Sequence, residues 1–373
     1  MTFNYLYAYL HIILNEIDMK SVKYKKQGKK GLFDEQNAIE HMTEMGNPLE
    51  KISYVIDFEF FRELLESKLL NTEKKNNAGS KPYDLVMMFK IIILQRYFGL
   101  GDKQIEFQIV DRISFKQFLG LETGDKIPDE KTVWSFREKL TESGLILLLF
   151  ELFVDFLAEK ELILNEGRMI DASFTVAPRQ RNTREENAKI KKGEGDELWN
   201  DKPHKKSHKD IDARWTKKNH ETFFGYKNHA KVDSKSKFVN KYVVTDASVH
   251  DSQALDELLD EKDKGQKLYA DSAYTGENQE KTIAKHEMEN QVHEKGYRNS
   301  PLTEEQKAKN TEKSRTRARV EHVFGFMEQS MNGLCLKSVG IKRATGIIGL
   351  INLTYNLFRY EQLVRIKSQI TVS

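Results

Sequence analysis

The hydrophobic period changes once along this 373-residue chain, at about residue 165. From Pro48 to about 160, apolar residues recur every three to four positions. Ile52, Val55, Ile56 and Phe60 form one such set, and Leu85, Met88, Phe89, Ile92 and Ile93 a second. That spacing lines one face of a helix. Asp129 is placed to cap a further helix that buries Val133, Trp134, Phe136 and Leu140. Short helices are expected at 102–110 and 114–119, and an amphipathic one at 145–160. Beyond 165 the pattern reads as strands at 168–176, 223–232, 238–245, 267–270 and 289–293. The second and third form a hairpin around Asp233-Ser234-Lys235-Ser236. Helices are expected from His250-Asp251, over 277–287, over about 303–330 and over 344–364. The fold class is therefore α/β, a mixed sheet with flanking helices preceded by an all-helical N-terminal domain.

Composition bounds the function classes. Sixty Lys and Arg against 57 Asp and Glu leave a net charge of +3, which excludes a histone-like polycation. It leaves a nucleic-acid enzyme open, because net charge says nothing about distribution. Hydrophobic residues make up 39%, enough for a core. Cys335 is the single cysteine, which rules out internal disulfides and cysteine-rich zinc sites and points to a reducing compartment. No stretch of about 18 uncharged apolar residues is present, so no membrane span is predicted. The apolar segment 3–14 lacks a basic lead and a small-residue cleavage site, which argues against a signal peptide. Met19 is a candidate start, and Lys23 to Lys30 reads as a flexible basic arm. The expected division is an extension at 1–30, a helical domain at 31–160, a mixed α/β domain at 161–364 and a tail at 365–373.

Three carboxylates stand where chemistry would use them. Asp171 lies mid-strand between Ile170 and Ala172, Asp271 ends the strand of YADSAY, and Glu321 lies in the helical stretch RARVEHVFG. An acid inside an apolar strand is costly unless paired or bound to a cation. Converging, the three would make an oxygen-only site suited to Mg²⁺ or Mn²⁺. Pairing of each acid with a nearby Lys or Arg is the bland alternative, and spacing alone does not decide.

The text around these acids resembles the insertion-sequence-five family of bacterial DDE transposases. MIDASF (169–174), DARWTKKNHETFFGYKNHAKVD (212–233), VVTDASVHDSQALDELL (243–259), YADSAYTG (269–276) and SRTRARVEHVFG (314–325) carry the likeness. GLFDEQ (31–36), the helical text from 46 to 121 and IPDEKTVWSFREKL (127–140) extend it towards the N-terminus. The resemblance implies an RNase H-like catalytic domain whose triad falls on Asp171, Asp271 and Glu321, with two Mg²⁺ or Mn²⁺ ions. It implies cleavage at insertion-sequence ends and strand transfer into target DNA, by a homodimer in the bacterial cytoplasm associated with the nucleoid. Arg317, one helical turn before Glu321, falls on the signature arginine and would fork a DNA phosphate. Ser314 stands where the signature has tyrosine, and Glu328 where it has lysine. Two regular turns would put Glu328 on the face of Glu321, where an acid repels phosphate.

Two basic runs flank the acids: Lys202 to His220, and Lys309 to Arg319. Arg214, Lys217, Lys227 and Arg319 are assigned to DNA because they lie in the matching blocks. Trp215 and Trp199 are candidates for stacking on an unpaired base, with a buried aromatic the simpler reading of each. The mixed-charge segment 185–197 reads as a solvated loop. His204, His208 and His220 lack a Cys or carboxylate to complete a zinc set. His322 reads as an exposed helix residue. The region 82–140 would read element ends or serve in packing. Two other functions stay open: a metal-dependent nuclease of the same fold, and an inactive DNA-binding remnant.

Overall fold

The computed structural model describes Lys25, residues 31–70 and residues 81–372, apart from Asn219, Asn299 and Leu334. The segment 3–14, Met19, most of the basic arm and the linker residues 71–80 lie outside the described residues. The chain divides into two units, Met1–Met45 and Gly46–Ser373. The first contains α1 (Asp34–Glu44), whose Asp34 and Glu35 favour the positive end of the helix dipole.

In the second unit the helical period is realised as a bundle. It runs α2 (Pro48–Val55), α3 (Arg62–Leu69), α4 (Leu85–Tyr97), α5 (Asp102–Asp111), α6 (Ile113–Leu119), α7 (Glu130–Glu142) and α8 (Leu145–Glu159). Asn47, Asp84 and Asp129 cap α2, α4 and α7 through their side chains. The α4 helix buries residues all round, from Val86 to Gln95, and so forms the centre of the bundle. Trp134 departs from expectation at 47% exposed. The buried stripe of α7 is Val133, Phe136 and Leu140, and Trp134 is one residue, about 100°, round from it.

The sheet contains β1 (Arg168–Val176), β2 (Arg214–Lys218), β3 (Glu221–Asp233), β4 (Val239–Asp246), β5 (Lys267–Tyr269) and β6 (Glu289–Asn290). Its order is β2-β3-β1-β5-β6, with β4 also paired to β3. β3 is antiparallel to β1, β2 and β4, whereas β1–β5 and β5–β6 are parallel, so the sheet is mixed. The hairpin closes at Asp233–Lys237 as the sequence indicates. Gly225 pairs with both β1 and β2, and a Cβ there would stand 2.2 Å from the Thr175 carbonyl oxygen.

Three elements depart from the sequence pattern. The segment 185–197, expected as a loop, begins with α9 (Arg184–Lys192), held by a capping box between Thr183 and Glu186. The run 202–220 contains the short α10 (Pro203–Ser207) and β2. Further on, α11 (Leu255–Leu258) follows a 3-10 turn at Asp251–Ala254, and α12 (Glu277–Lys285) precedes β6. The helix expected over 303–330 is broken. α13 (Glu304–Arg317) ends at Ala318, α14 (Arg319–Gly325) follows, and a π turn occupies Phe326–Ser330.

The last element, α15 (Ile341–Val372), continues through the segment expected to be a tail. Its stretch Leu350–Phe358 is buried without interruption. Asn228 and Asn352 exchange amide hydrogen bonds of 2.9 and 3.2 Å, and Asn356 bonds both the N–H and the carbonyl of Val239. Tyr97 of α4 stacks on Phe358 at 3.5 Å, and Phe150 of α8 packs edge-on against Tyr242 of β4. Helices and sheet thus share one core within the second unit.

Candidate active site

The geometry begins in strand register. β1 and β5 pair in parallel with Arg168 opposite Leu268 and Met169 opposite Tyr269, an offset of one hundred residues. Asp271 lies two residues past Tyr269, beyond the end of β5, where it caps the 3-10 turn Ser272–Tyr274, and its charge is felt at Asp171 in mid-β1. Each acid anchors one oxygen on the backbone: Asp171 Oδ1 accepts from Ala172 N–H and Asp271 Oδ1 from Ala273 N–H, both at 2.8 Å. Burial, and the nearby charge of Asp271, push the Asp171 carboxyl up to about 6, against the lowering effect of its backbone bond and of Arg317.

Glu321 joins this pair through an arginine. Arg317 Nη2 donates to Glu321 Oε1 at 2.8 Å, and Nη1 stands 3.7 Å from Asp171 Oδ2. The one-turn spacing puts both side chains on one face, as expected. Glu321 is 58% exposed, against 19% for Asp171. Among the described residues no three His, Cys, Asp or Glu side chains are close enough to hold a metal ion. The acids therefore meet as a pair with a third attached through Arg317, not as a closed three-carboxylate cage. Their chemistry fits a divalent cation: all donors are oxygen, Asp171 is raised by burial and then by its acidic neighbour, and a guanidinium already supplies positive charge between Asp171 and Glu321.

Groups that sequence reasoning passed over surround these acids. Tyr274, one 3-10 turn past Asp271, is buried with its hydroxyl unpartnered; burial and the charges of Asp251, Asp171 and Asp271 raise its pKa well above the usual value. His293 stands 3.2 Å from the Ser314 hydroxyl, and burial with the charges of Arg317 and Lys313 lowers its pKa. Lys218 contributes positive charge at Asp171 and lies 5.7 Å from the Phe174 ring, which stacks on Phe223. Tyr274 follows Asp271 by three residues, a legible signal; nothing local in the sequence ties His293 to Ser314.

The residues assigned to DNA divide into two sets. Lys217 is exposed on β2, and Trp215 is 42% exposed, 4.9 Å from the Phe224 ring. Arg319 is half-buried, with Nη1 on the Ser234 carbonyl. Lys227 is corrected to an internal brace: it is buried on a β3 position covered from both sides, and its Nζ donates to Asp251 Oδ1 and the Val249 carbonyl, both at 2.7 Å. Arg214 is spent on the carbonyls of Ile211, Ala213 and Ile190, because β2 sits against the end of α9. Trp199 is buried, its Nε1 donating to Glu186 at 2.6 Å. The π turn winds less per residue than an α-helix, which carries the exposed Glu328 off the line of Glu321.

The mixed sheet thus holds Asp171 in mid-strand, with the charge of Asp271 close by and an Arg317–Glu321 pair beside it. Residues 165–357 match the family model described as Transposase DDE domain, and residues 37–139 match Transposase domain (DUF772). The chain belongs to the DDE transposase family. It is also similar to a cryo-EM structure of piggyBac transposase in a synaptic complex with hairpin DNA. The two are 11% identical, with a TM-score of 0.42 over 86% of this chain and 76% of that one. A likeness at that level bears on neither mechanism nor partners.

Proposed function

We propose that this chain is a DNA transposase of the insertion-sequence-five type. It cuts at the ends of its element and joins the freed 3′ ends to target DNA. The observation that supports the reading is the parallel pairing of β1 with β5 and the charge of Asp271 acting on Asp171, with Arg317 bonded to Glu321 and 3.7 Å from Asp171. Asp171, Asp271 and Glu321 would hold divalent ions, Mg²⁺ or Mn²⁺, in a catalytic domain of RNase H-like type. Bound there, such ions activate a water or sugar hydroxyl and stabilise the leaving oxygen. Arg317 orients a phosphate beside the acids, and Lys217, Lys218 and Arg315, all exposed, present positive charge to the backbone. Two element ends require two such sites, hence a homodimer.

The test is nicking of a labelled duplex bearing the element ends, with Mg²⁺, by the wild type and by Asp171→Asn, Asp271→Asn and Glu321→Gln. Each variant is expected to lose about a hundredfold or more, since the ions supply several kcal/mol of stabilisation. Undiminished nicking by Asp171→Asn would overturn the reading. Nicking without strand transfer would make the chain a nuclease. No nicking until Glu328 is changed to Lys would make it a remnant.

A further inference from the structure

The second unit holds a cleft of about 260 Å³ remote in sequence from the paired acids. Its walls are the end of α4, the start of α5, α7 and the segment 331–338 that leads to α15. Three cations line it, Arg96, Arg137 and Lys337, against one carboxylate, Asp102. That carboxylate is already engaged. Arg137 holds it through both Nη atoms, and Gln95 Nε2 donates to it at 2.6 Å. Arg96 is left over: its Nε is buried without a hydrogen-bond partner, and so is the Ser338 hydroxyl on the facing wall. Burial and the charge of Arg137 pull the Arg96 guanidinium down to about 10, and only Asp102 opposes them. A half-buried guanidinium whose Nε is wholly buried, and which shares its one carboxylate with Arg137, is costly to hold, and an anion arriving in the cleft would pair with it.

We infer that this cleft binds a phosphate group, with Arg96 and Lys337 as its charged donors and Ser338 as a hydroxyl donor. Arginine matches the oxyanion with its fork, and Lys337, exposed at the rim, adds an unconstrained charge. The phosphate comes from the DNA backbone if the transposase reading holds, and that source alone rests on it. Because the walls come from both the 37–139 and the 165–357 regions, a phosphate bound there would tie the helical half to the sheet half.

The experiment uses the full chain. Melting is followed in sodium phosphate and in sodium chloride at matched ionic strength, and duplex DNA binding is titrated by anisotropy between 50 and 200 mM salt. Phosphate is expected to raise Tm by at least about 2 °C over chloride. Arg96→Met and Lys337→Gln should each abolish that rise; the rim variant serves should the buried one fail to fold. If the phosphate belongs to DNA, each variant lowers the slope of log K against log salt by about 1. A phosphate-specific rise with an unchanged slope assigns the site to a free phosphate or a phosphorylated small molecule. Wild-type melting indifferent to phosphate, together with an unchanged slope, overturns the inference. Failure of the nicking test leaves the melting arm intact.

Discussion

Asp171 shows how one residue's environment sets a pH dependence. Its folded-state carboxyl is raised to about 6, so between the ordinary carboxyl value and that point the folded chain keeps a proton that the unfolded chain has released. Stability from this group is therefore complete at low pH and falls as pH rises through the window. In metal-free protein, Asp171→Asn is expected to raise the unfolding free energy at pH 7 by about 2 kcal/mol and to change nothing near pH 3. Urea denaturation at the two pH values checks this. Lys227 makes the complementary case. Truncating it would strand Asp251, its partner at 2.7 Å, in a position with 16% side-chain exposure. Lys227→Met should cost about 3 kcal/mol while leaving the salt slope of DNA binding untouched. A lowered slope would restore Lys227 to the DNA interface. Its burial was not legible because alternation in β3 fails: Phe224 to Asp233 are all buried.

At the scale of elements, legibility followed the range of the forces. The stripe of α7, the Asp129 cap and the Arg317–Glu321 turn are local, and spacing predicts them. The capping box that starts α9 was equally local and could have been read from Thr183 and Glu186. By contrast β2, a strand of five residues with three exposed, exists because β3 offers it an edge. The break at Ala318 and the π turn at Phe326 likewise have no pattern that periodicity detects. The packing of α15 gives an element-scale prediction. A Cβ at Gly349 would stand 2.3 Å from the Tyr242 hydroxyl and 2.9 Å from Ile146 Cγ2. Gly349→Ala should destabilise by about 1–3 kcal/mol through overpacking, measured as a shift in the denaturant midpoint at unchanged m-value.

At the scale of the molecule, the helical and sheet halves are joined by α15 and one core, with the buried Arg168, Asp233, Asp263 and Lys231 side chains forming an ion network that the half-buried Asp260 extends. Residues 46–373 should therefore unfold in a single transition, and a fragment starting at 161 should fail to fold. Calorimetry showing two separable peaks within this unit would contradict that. The sequence blocks located the paired acids, but not this shared core, which depends on contacts between segments far apart in the chain. Strand register also sets a rule for change by insertion and deletion. The parallel pairing of β1 with β5, and not the length of chain between them, sets where Asp271 lies relative to Asp171. Residues added in the connection at 178–182, between β1 and α9, lengthen a loop, each doubling costing only about 0.6 kcal/mol, and leave the pairing of β1 with β5 intact. One residue added inside β5 shifts its pairing with β1 by one position and moves Asp271 relative to Asp171.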